Sequence, residues 1–406
     1  MGRQMRTGSQ HSASYPSTLT FMQTFLRVLT LCSLLLASLA AHADVFSNIP
    51  PGPPLNARAW MLIDAHTGQV LVHDNENLRA APASLTKLMT AYLVFSALQD
   101  GRLKLTTALP ISTEAWKQGG SRMFLLPNTQ VPVDELLKGM LVPSGNDAAY
   151  ALAEGVGGSA AGFVSLMNRE AKTLGLSGTH YMDPNGLPDP GHYTTARDLA
   201  TLARDLVINF PQYYHRFFHI KEFSYNNITQ PNTNRLLWLD PQVDGIKTGY
   251  TEEAGYCLVA SAKRGDQRLI SVVLGAPSNQ GRVMDSLKLL NYGFQFYSGA
   301  KLYGAGQVVK KVAIYKGAAN HLPIGFLQDF YLTLPRGGEK QLGVQVITRE
   351  PLLAPVMKGQ QVGTLHLTLD GKPYGDYPLV ALETVKPAGF FGRLWDSIKL
   401  FFMRWF

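Results

Sequence analysis

Strand-forming sequence stands at both ends of the stretch from Ala59 to Leu274 and helix-forming sequence fills its middle, so the two ends must meet in one sheet. Residues 59–64 and 69–73 read as strands, with His66-Thr67-Gly68 at the turn between them. Residues 243–250, 256–262 and 269–274 read as three more, followed by an amphipathic helix over 281–296. Helical periodicity occupies 133–141, 148–154, 162–174 and 195–207, the last opened by Thr195 and Asp198 as a capping box that gives Asp198 a structural role. The expected fold is an α/β domain: an antiparallel sheet made from both ends, with a helical middle.

Beyond Gly299 the character changes. Residues 307–315, 330–334, 342–347 and 362–369 alternate between Gly and Pro breaks and read as a small all-β domain, a stalk-like spacer or a partner-binding module. After Pro387-Ala388-Gly389, an amphipathic helix sets Phe390, Leu394, Trp395 and Phe402 on one broad side and Arg393, Asp396, Lys399 and Arg404 on the other. Trp and Phe suit a headgroup boundary, and the segment is too short and too charged to span, so it is expected to lie on a membrane surface. At the other end, Arg27, an apolar run over 28–39 and Ala41-His42-Ala43 have the layout of a signal peptide cut after Ala43, with Met22 a candidate start. The expected division is 1–43 extension and signal peptide, 44–300 catalytic domain, 301–386 β-module and 387–406 anchoring helix.

Of the two cysteines, Cys32 lies in the cleaved run, which leaves Cys257 as a lone buried strand residue and excludes a disulfide framework. The formal charge of +8 includes Arg3, Arg6 and Arg27 with no acid before residue 44, so it falls by three in the mature chain. The remaining excess is dispersed. That argues against nucleic acid and suits an anionic membrane or wall.

Three short motifs follow one another: Ser84-Leu85-Thr86-Lys87, Ser144-Gly145-Asn146 and Lys247-Thr248-Gly249. A serine hydroxyl is a poor nucleophile near neutral pH and needs a neighbouring base. A helix that opens at Ser84, after Pro82, and carries Leu85, Leu88, Met89, Tyr92 and Leu93 at helical spacing puts Lys87 on the serine's own face. Each motif alone is weak, and a second Ser-x-Asn at Ser224-Tyr225-Asn226 is discounted because its surroundings are β-like. His215 and His219 have zinc-like spacing, but Arg216 stands where His-Glu-x-x-His needs glutamate, so no metal or other cofactor is expected. The sequon Asn227-Ile228-Thr229 is read as a chance match.

With these motifs in order, the chain resembles the serine penicillin-recognising enzymes, and most closely the low-molecular-mass D-alanyl-D-alanine carboxypeptidases of bacterial cell-wall metabolism. The resemblance runs through Pro82 to Thr90, Ser144-Gly145-Asn146-Asp147-Ala148-Ala149, Asp183-Pro184-Asn185-Gly186-Leu187 and Val243 to Gly249, and extends to the β-module and terminal helix. It implies that Ser84 attacks the carbonyl between two terminal D-alanines of a peptidoglycan stem peptide and that Lys87 takes its proton, with burial and Lys247 lowering the lysine's pKa. It further implies that Ser144 relays a proton, that Asn146 holds Lys87 and substrate, and that Lys247 and Thr248 bind the terminal carboxylate. Gly249 and Tyr250 complete the substrate-binding set, with the Ser84 and Tyr250 N–H groups as the oxyanion hole. Carboxypeptidases of this type often carry His after Lys-Thr-Gly; Tyr250 leaves the backbone role open to it. β-Lactams are the implied covalent inhibitors, and the periplasmic side of the bacterial cytoplasmic membrane the implied location. A β-lactamase, a D,D-endopeptidase and a catalytically idle wall-binding scaffold are the competing readings.

Overall fold

The computed structural model describes residues 49–403; the readings on the signal peptide, its cleavage, Met22 and the last three residues fall outside them. Five strands form the central sheet: β1 (Ala59–Asp64), β2 (Val70–Asp74), β3 (Val243–Thr251), β4 (Gly255–Arg264) and β5 (Gln267–Ala276), in the order β2-β1-β5-β4-β3. All neighbours are antiparallel, with Met61 opposite Val272 and Lys247 opposite Val259. Both faces are covered, and the period-two alternation divides each strand between them. Met61, Ile63, Ile270 and Val272 join the core under the helical middle, while Leu62, Leu258, Leu269 and Val273 join the core on the opposite face. This is why β5 reads as an apolar run from Leu269 to Leu274 broken only by Ser271.

The middle contributes α1 (Lys87–Gln99), α2 (Val133–Leu141), α3 (Asn146–Gly157), α4 (Ala160–Thr173) and α5 (Ala196–Asn209), and α6 (Asn279–Phe296) covers the other face. Helix α1 is buried almost all round and runs through the domain as a central post. Ser84 does not stand in that α-helix. It lies in a 3₁₀ turn, Ala83–Thr86, entered with Ala83 at φ +49°. At three residues per turn, positions i and i+3 eclipse, which stacks Lys87 over Ser84. Thr195 caps α5 by accepting from Asp198 N–H, but the Asp198 carboxylate turns away to Gly178 N–H and the Thr179 hydroxyl. The residue is structural as expected; it ties down a loop and does not close the reciprocal half of the box.

Strand Tyr297–Tyr303 pairs with Phe330–Pro335, and six further strands form one sheet around the module's own core. Strands His321–Gly325 and Lys372–Ala381 were not evident in the sequence, because Pro323, Pro373 and Pro378 interrupt them. The module meets the catalytic domain through Thr67–Thr333 hydroxyls at 2.9 Å, His66 stacked on Tyr331, and Arg336 donating to Phe294 C=O. The terminal helix α7 (Phe390–Met403) touches the module by its polar side, where Asp396 accepts from Lys316 N–H at 2.6 Å. Phe390, Phe391, Trp395 and Phe402 remain more than half exposed. Among the described residues no helix is long and apolar enough to cross a membrane.

Candidate active site

Lys87 is fully buried, and its Nζ meets three oxygens: Ser84 Oγ at 2.9 Å, Asn146 Oδ1 at 2.6 Å and the Asn185 carbonyl at 2.9 Å. Asn146 opens α3 and is held from both sides. Its N–H donates to Ser121 C=O, and its Nδ2 donates to Gly119 C=O at 2.6 Å, which fixes the amide so that Oδ1 faces the lysine. Asp147 beside it accepts from Met123 and Leu125 N–H, pinning the loop over this side of the site.

Ser144 sits just before α3 with φ at +68°. That left-handed conformation is uncommon for a side-chain-bearing residue and here lies within a site. Its Oγ accepts from Lys247 Nζ at 2.9 Å, so the second motif bridges the first and third. Lys247 is buried on β3, and the Thr248 hydroxyl bonds Thr233 Oγ1 at 2.7 Å. Gly249 is needed for packing: a Cβ there would stand 2.9 Å from Pro82 C=O and 3.2 Å from Ala83 Cβ, so β3 lies hard against the Ser84 turn. Tyr250 is half exposed, its ring against Tyr256 with centroids 4.3 Å apart.

Burial lowers the pKa of Lys87 to about 7, against the opposing pull of Asp183 and Asp147. Burial also holds Lys247 well below an ordinary lysine, helped by the charges of Lys87 and Arg282. Of the two expected causes of the Lys87 shift, burial and Lys247, burial carries it, and the repulsion between the two amines is felt at Lys247. An amine near neutrality beside a serine hydroxyl can accept its proton.

Three contributors escaped the motifs. Arg282 on α6 donates to Gly249 and Cys257 carbonyls, bringing a third cation behind the Lys-Thr-Gly strand. Its only sequence signal was a charge on the buried face of an otherwise ordinary helix. Thr233 comes from an irregular segment. The 183–187 turn matched by resemblance but had no assigned role; it delivers the Asn185 carbonyl to Lys87, and Gly186 at φ +89° packs so tightly on the Ser84 turn that a Cβ would fall 1.7 Å from Ala83 C=O. Ser224 lies away in hairpin strand Glu222–Tyr225, bonded to Thr229, and Cys257 is a buried, free strand residue.

A family profile described as D-alanyl-D-alanine carboxypeptidase matches residues 46–278, and one described as penicillin-binding protein 5, C-terminal domain, matches 297–387. The D-alanyl-D-alanine carboxypeptidase DacA of Escherichia coli is 42% identical over 378 residues, 90% of this chain and 94% of that protein. Penicillin-binding protein 5 from Haemophilus influenzae superposes with a TM-score of 0.79 at 38% identity, covering 83% of this chain and 99% of that one. Penicillin-binding protein D2 from Listeria monocytogenes in its ampicillin-bound form superposes at 0.55 with 32% identity, covering 60% of this chain and all of that one. With the Ser-x-x-Lys, Ser-x-Asn and Lys-Thr-Gly groups converging on one buried cage, the chain belongs to the D-alanyl-D-alanine carboxypeptidase family of penicillin-binding serine peptidases.

Proposed function

We propose that the protein removes the terminal D-alanine from peptidoglycan stem pentapeptides through a Ser84 acyl-enzyme. The observation that carries this reading is the Lys87 cage. Asn146 Oδ1 and the Asn185 carbonyl only accept hydrogen bonds, so a neutral amine spends its two hydrogens on them and aims its lone pair at Ser84 Oγ. As Ser84 Oγ bonds to the scissile carbonyl carbon, its proton passes to Lys87. The C–N bond then breaks, and the departing D-alanine amine takes the proton held on Lys87, relayed through Ser144, whose Oγ Lys247 holds in place, so that Lys87 is neutral again. Water adds to the acyl carbon as its proton passes to Lys87, and that proton returns to Ser84 Oγ as the C–O bond to the serine breaks and the shortened peptide leaves. Lys247 and Thr248 bind the free carboxylate, whose charge offsets what burial takes from the lysine. The Ser84 and Tyr250 N–H groups receive the developing oxyanion.

The same cage supports acylation by β-lactams. The carboxylates facing Lys87, Asp183 and Asp147, already accept backbone N–H bonds, and Glu222 is exposed on a hairpin, so the residues that face the dyad favour a long-lived adduct over β-lactamase turnover. Mass spectrometry on a defined pentapeptide beside a cross-linked dimer tests the assignment: one D-alanine is expected to leave the pentapeptide, the dimer to stay intact, and penicillin to block the loss. Cleavage of the dimer with an untouched pentapeptide would favour the endopeptidase.

The outward aromatic side of α7 supports peripheral attachment to the periplasmic face of the cytoplasmic membrane, with the β-module as spacer and a protein partner for it a further proposal. The full chain is expected to float with anionic vesicles and a chain ending at Pro387 to remain in solution. Equal flotation of the two would remove α7 from the anchoring role.

A further inference from the structure

We propose that His192 is a positioning residue for Lys87, spanning from Thr86 in the nucleophile's turn to Asp183 in the turn that presents the Asn185 carbonyl. This rests on the reading of Lys87 as the base. His192 is buried, and its Nε2 lies 2.9 Å from Thr86 Oγ1. Its Nδ1 stops 3.6 Å from Asp183 Oδ2, too far for a hydrogen bond, and has no other partner. The Tyr181 ring stands T-shaped to it, with centroids 5.8 Å apart.

Asp183 organises the turn. Its Oδ1 accepts from Asn185 and Gly186 N–H at 2.6 Å each, and its Oδ2 from Leu187 N–H at 3.2 Å. On the far side, the Thr90 hydroxyl of α1 holds Pro184 C=O at 2.8 Å. Thus one imidazole lies between two walls of the Lys87 cage, within bonding distance of the Ser84 turn and 3.6 Å from the carboxylate of the 183–187 turn. The tautomer follows: Nδ1–H facing a carboxylate leaves Nε2 to accept the Thr86 hydroxyl. A shift of about 0.6 Å closes Nδ1–H onto Oδ2, the kind of bond that is long in a free enzyme and tightens with substrate bound. Closed, it would hold the 183–187 turn, and with it the Asn185 carbonyl that already lies 2.9 Å from Nζ, fixing the amine's second hydrogen and the direction of the lone pair.

The charged groups around the amine are Asp183 from this turn, Asp147 from α3 and Lys247 from β3; those facing His192 are Asp183 and the Tyr181 phenol. Asp183 and the Asn185 carbonyl both favour the ammonium form of Lys87. Loosening either lowers the pH at which Lys87 becomes a base. The test measures acylation by a fluorescent penicillin, and kcat and KM for the pentapeptide, across pH in His192→Gln and Asp183→Asn. Both are expected to lose about tenfold in kcat with KM nearly unchanged, and to move the acid limb of the acylation profile to lower pH. A slower variant whose limb stays in place, its melting temperature lowered, would mark a merely structural histidine and overturn the proposal, as would unchanged rates. Should His192→Gln not fold, Thr86→Val, which removes the imidazole's hydroxyl partner and leaves the Asp183 charge in place, decides by the same two readouts. Ser84→Ala run in parallel separates the underlying reading, since a penicillin adduct there removes the nucleophile and not the His192 span.

Discussion

Ser84→Ala is expected to lower kcat/KM on a pentapeptide by at least about 10⁴ and to abolish the covalent penicillin adduct seen by intact-mass measurement. Catalysis of this kind splits one hard step into two through a covalent intermediate, and without the hydroxyl there is no first half. The other hydroxyl in the cage, Ser144 Oγ, accepts from Lys247 and has no comparable base on its own turn, so it offers no substitute. The fold should survive. Ser84 is partly exposed in a 3₁₀ turn, and removing its Oγ leaves Lys87 with Asn146 and Asn185 as partners, so stability is expected to move by no more than about 0.5 kcal/mol. The inactive chain should still bind pentapeptide through Lys247 and Thr248, which makes the loss one of kcat. A retained adduct mapping to Ser144 would instead make the second motif the nucleophile.

What could be read before the structure was whatever local chemistry dictates. The sheet strands follow from alternation or apolar runs bounded by turns, and Ser84, Lys87, Ser144, Asn146 and Lys247 from motif order; Lys87 bonds Ser84 and Asn146, and Lys247 bonds Ser144. What could not be read depends on partners distant in sequence. Arg282 joins the site only because α6 packs behind β4, and the Asn185 carbonyl only because the 183–187 turn folds onto the Ser84 turn. A backbone carbonyl leaves no mark in a sequence at all. The strand over Lys372–Ala381 was hidden because its prolines and Gly375 break the pattern by which strands are recognised. Burial was legible as a cause of the Lys87 shift, but the fall of the Lys247 repulsion on Lys247 itself was not, because two nearby lysines show as letters while their relative depth is a property of the packed whole.

That depth has a measurable price in stability. The native pKa of Lys87 is about 7 against 10.5 for an ordinary lysine, so below neutrality the folded state carries the full cost of a buried cation, about 5 kcal/mol at 1.36 kcal/mol per unit. Between these two values the unfolded chain holds a proton that the native state has released, so this contribution makes stability rise with pH and ends above the unfolded pKa. Lys87→Met removes the cost but strands Asn146 Oδ1 and the Asn185 carbonyl, each worth about 1–3 kcal/mol when unpaired. The variant is therefore expected to be more stable relative to the native protein at pH 6, by up to about 3 kcal/mol, than at pH 9, where the relieved cost has fallen by more than half, as read from denaturant midpoints at each pH. Its acylation rate should fall by about 10³, the scale of a lost general base. In the native enzyme, acylation should drop about tenfold per pH unit below the Lys87 pKa. Lys87→Arg separates charge from basicity: guanidinium stays protonated throughout, so it should be as slow as Met yet destabilised at every pH. If Lys87→Met were slow but no more stable at pH 6 than at pH 9, the amine would be charged in the resting enzyme, and the proton of Ser84 would need another acceptor.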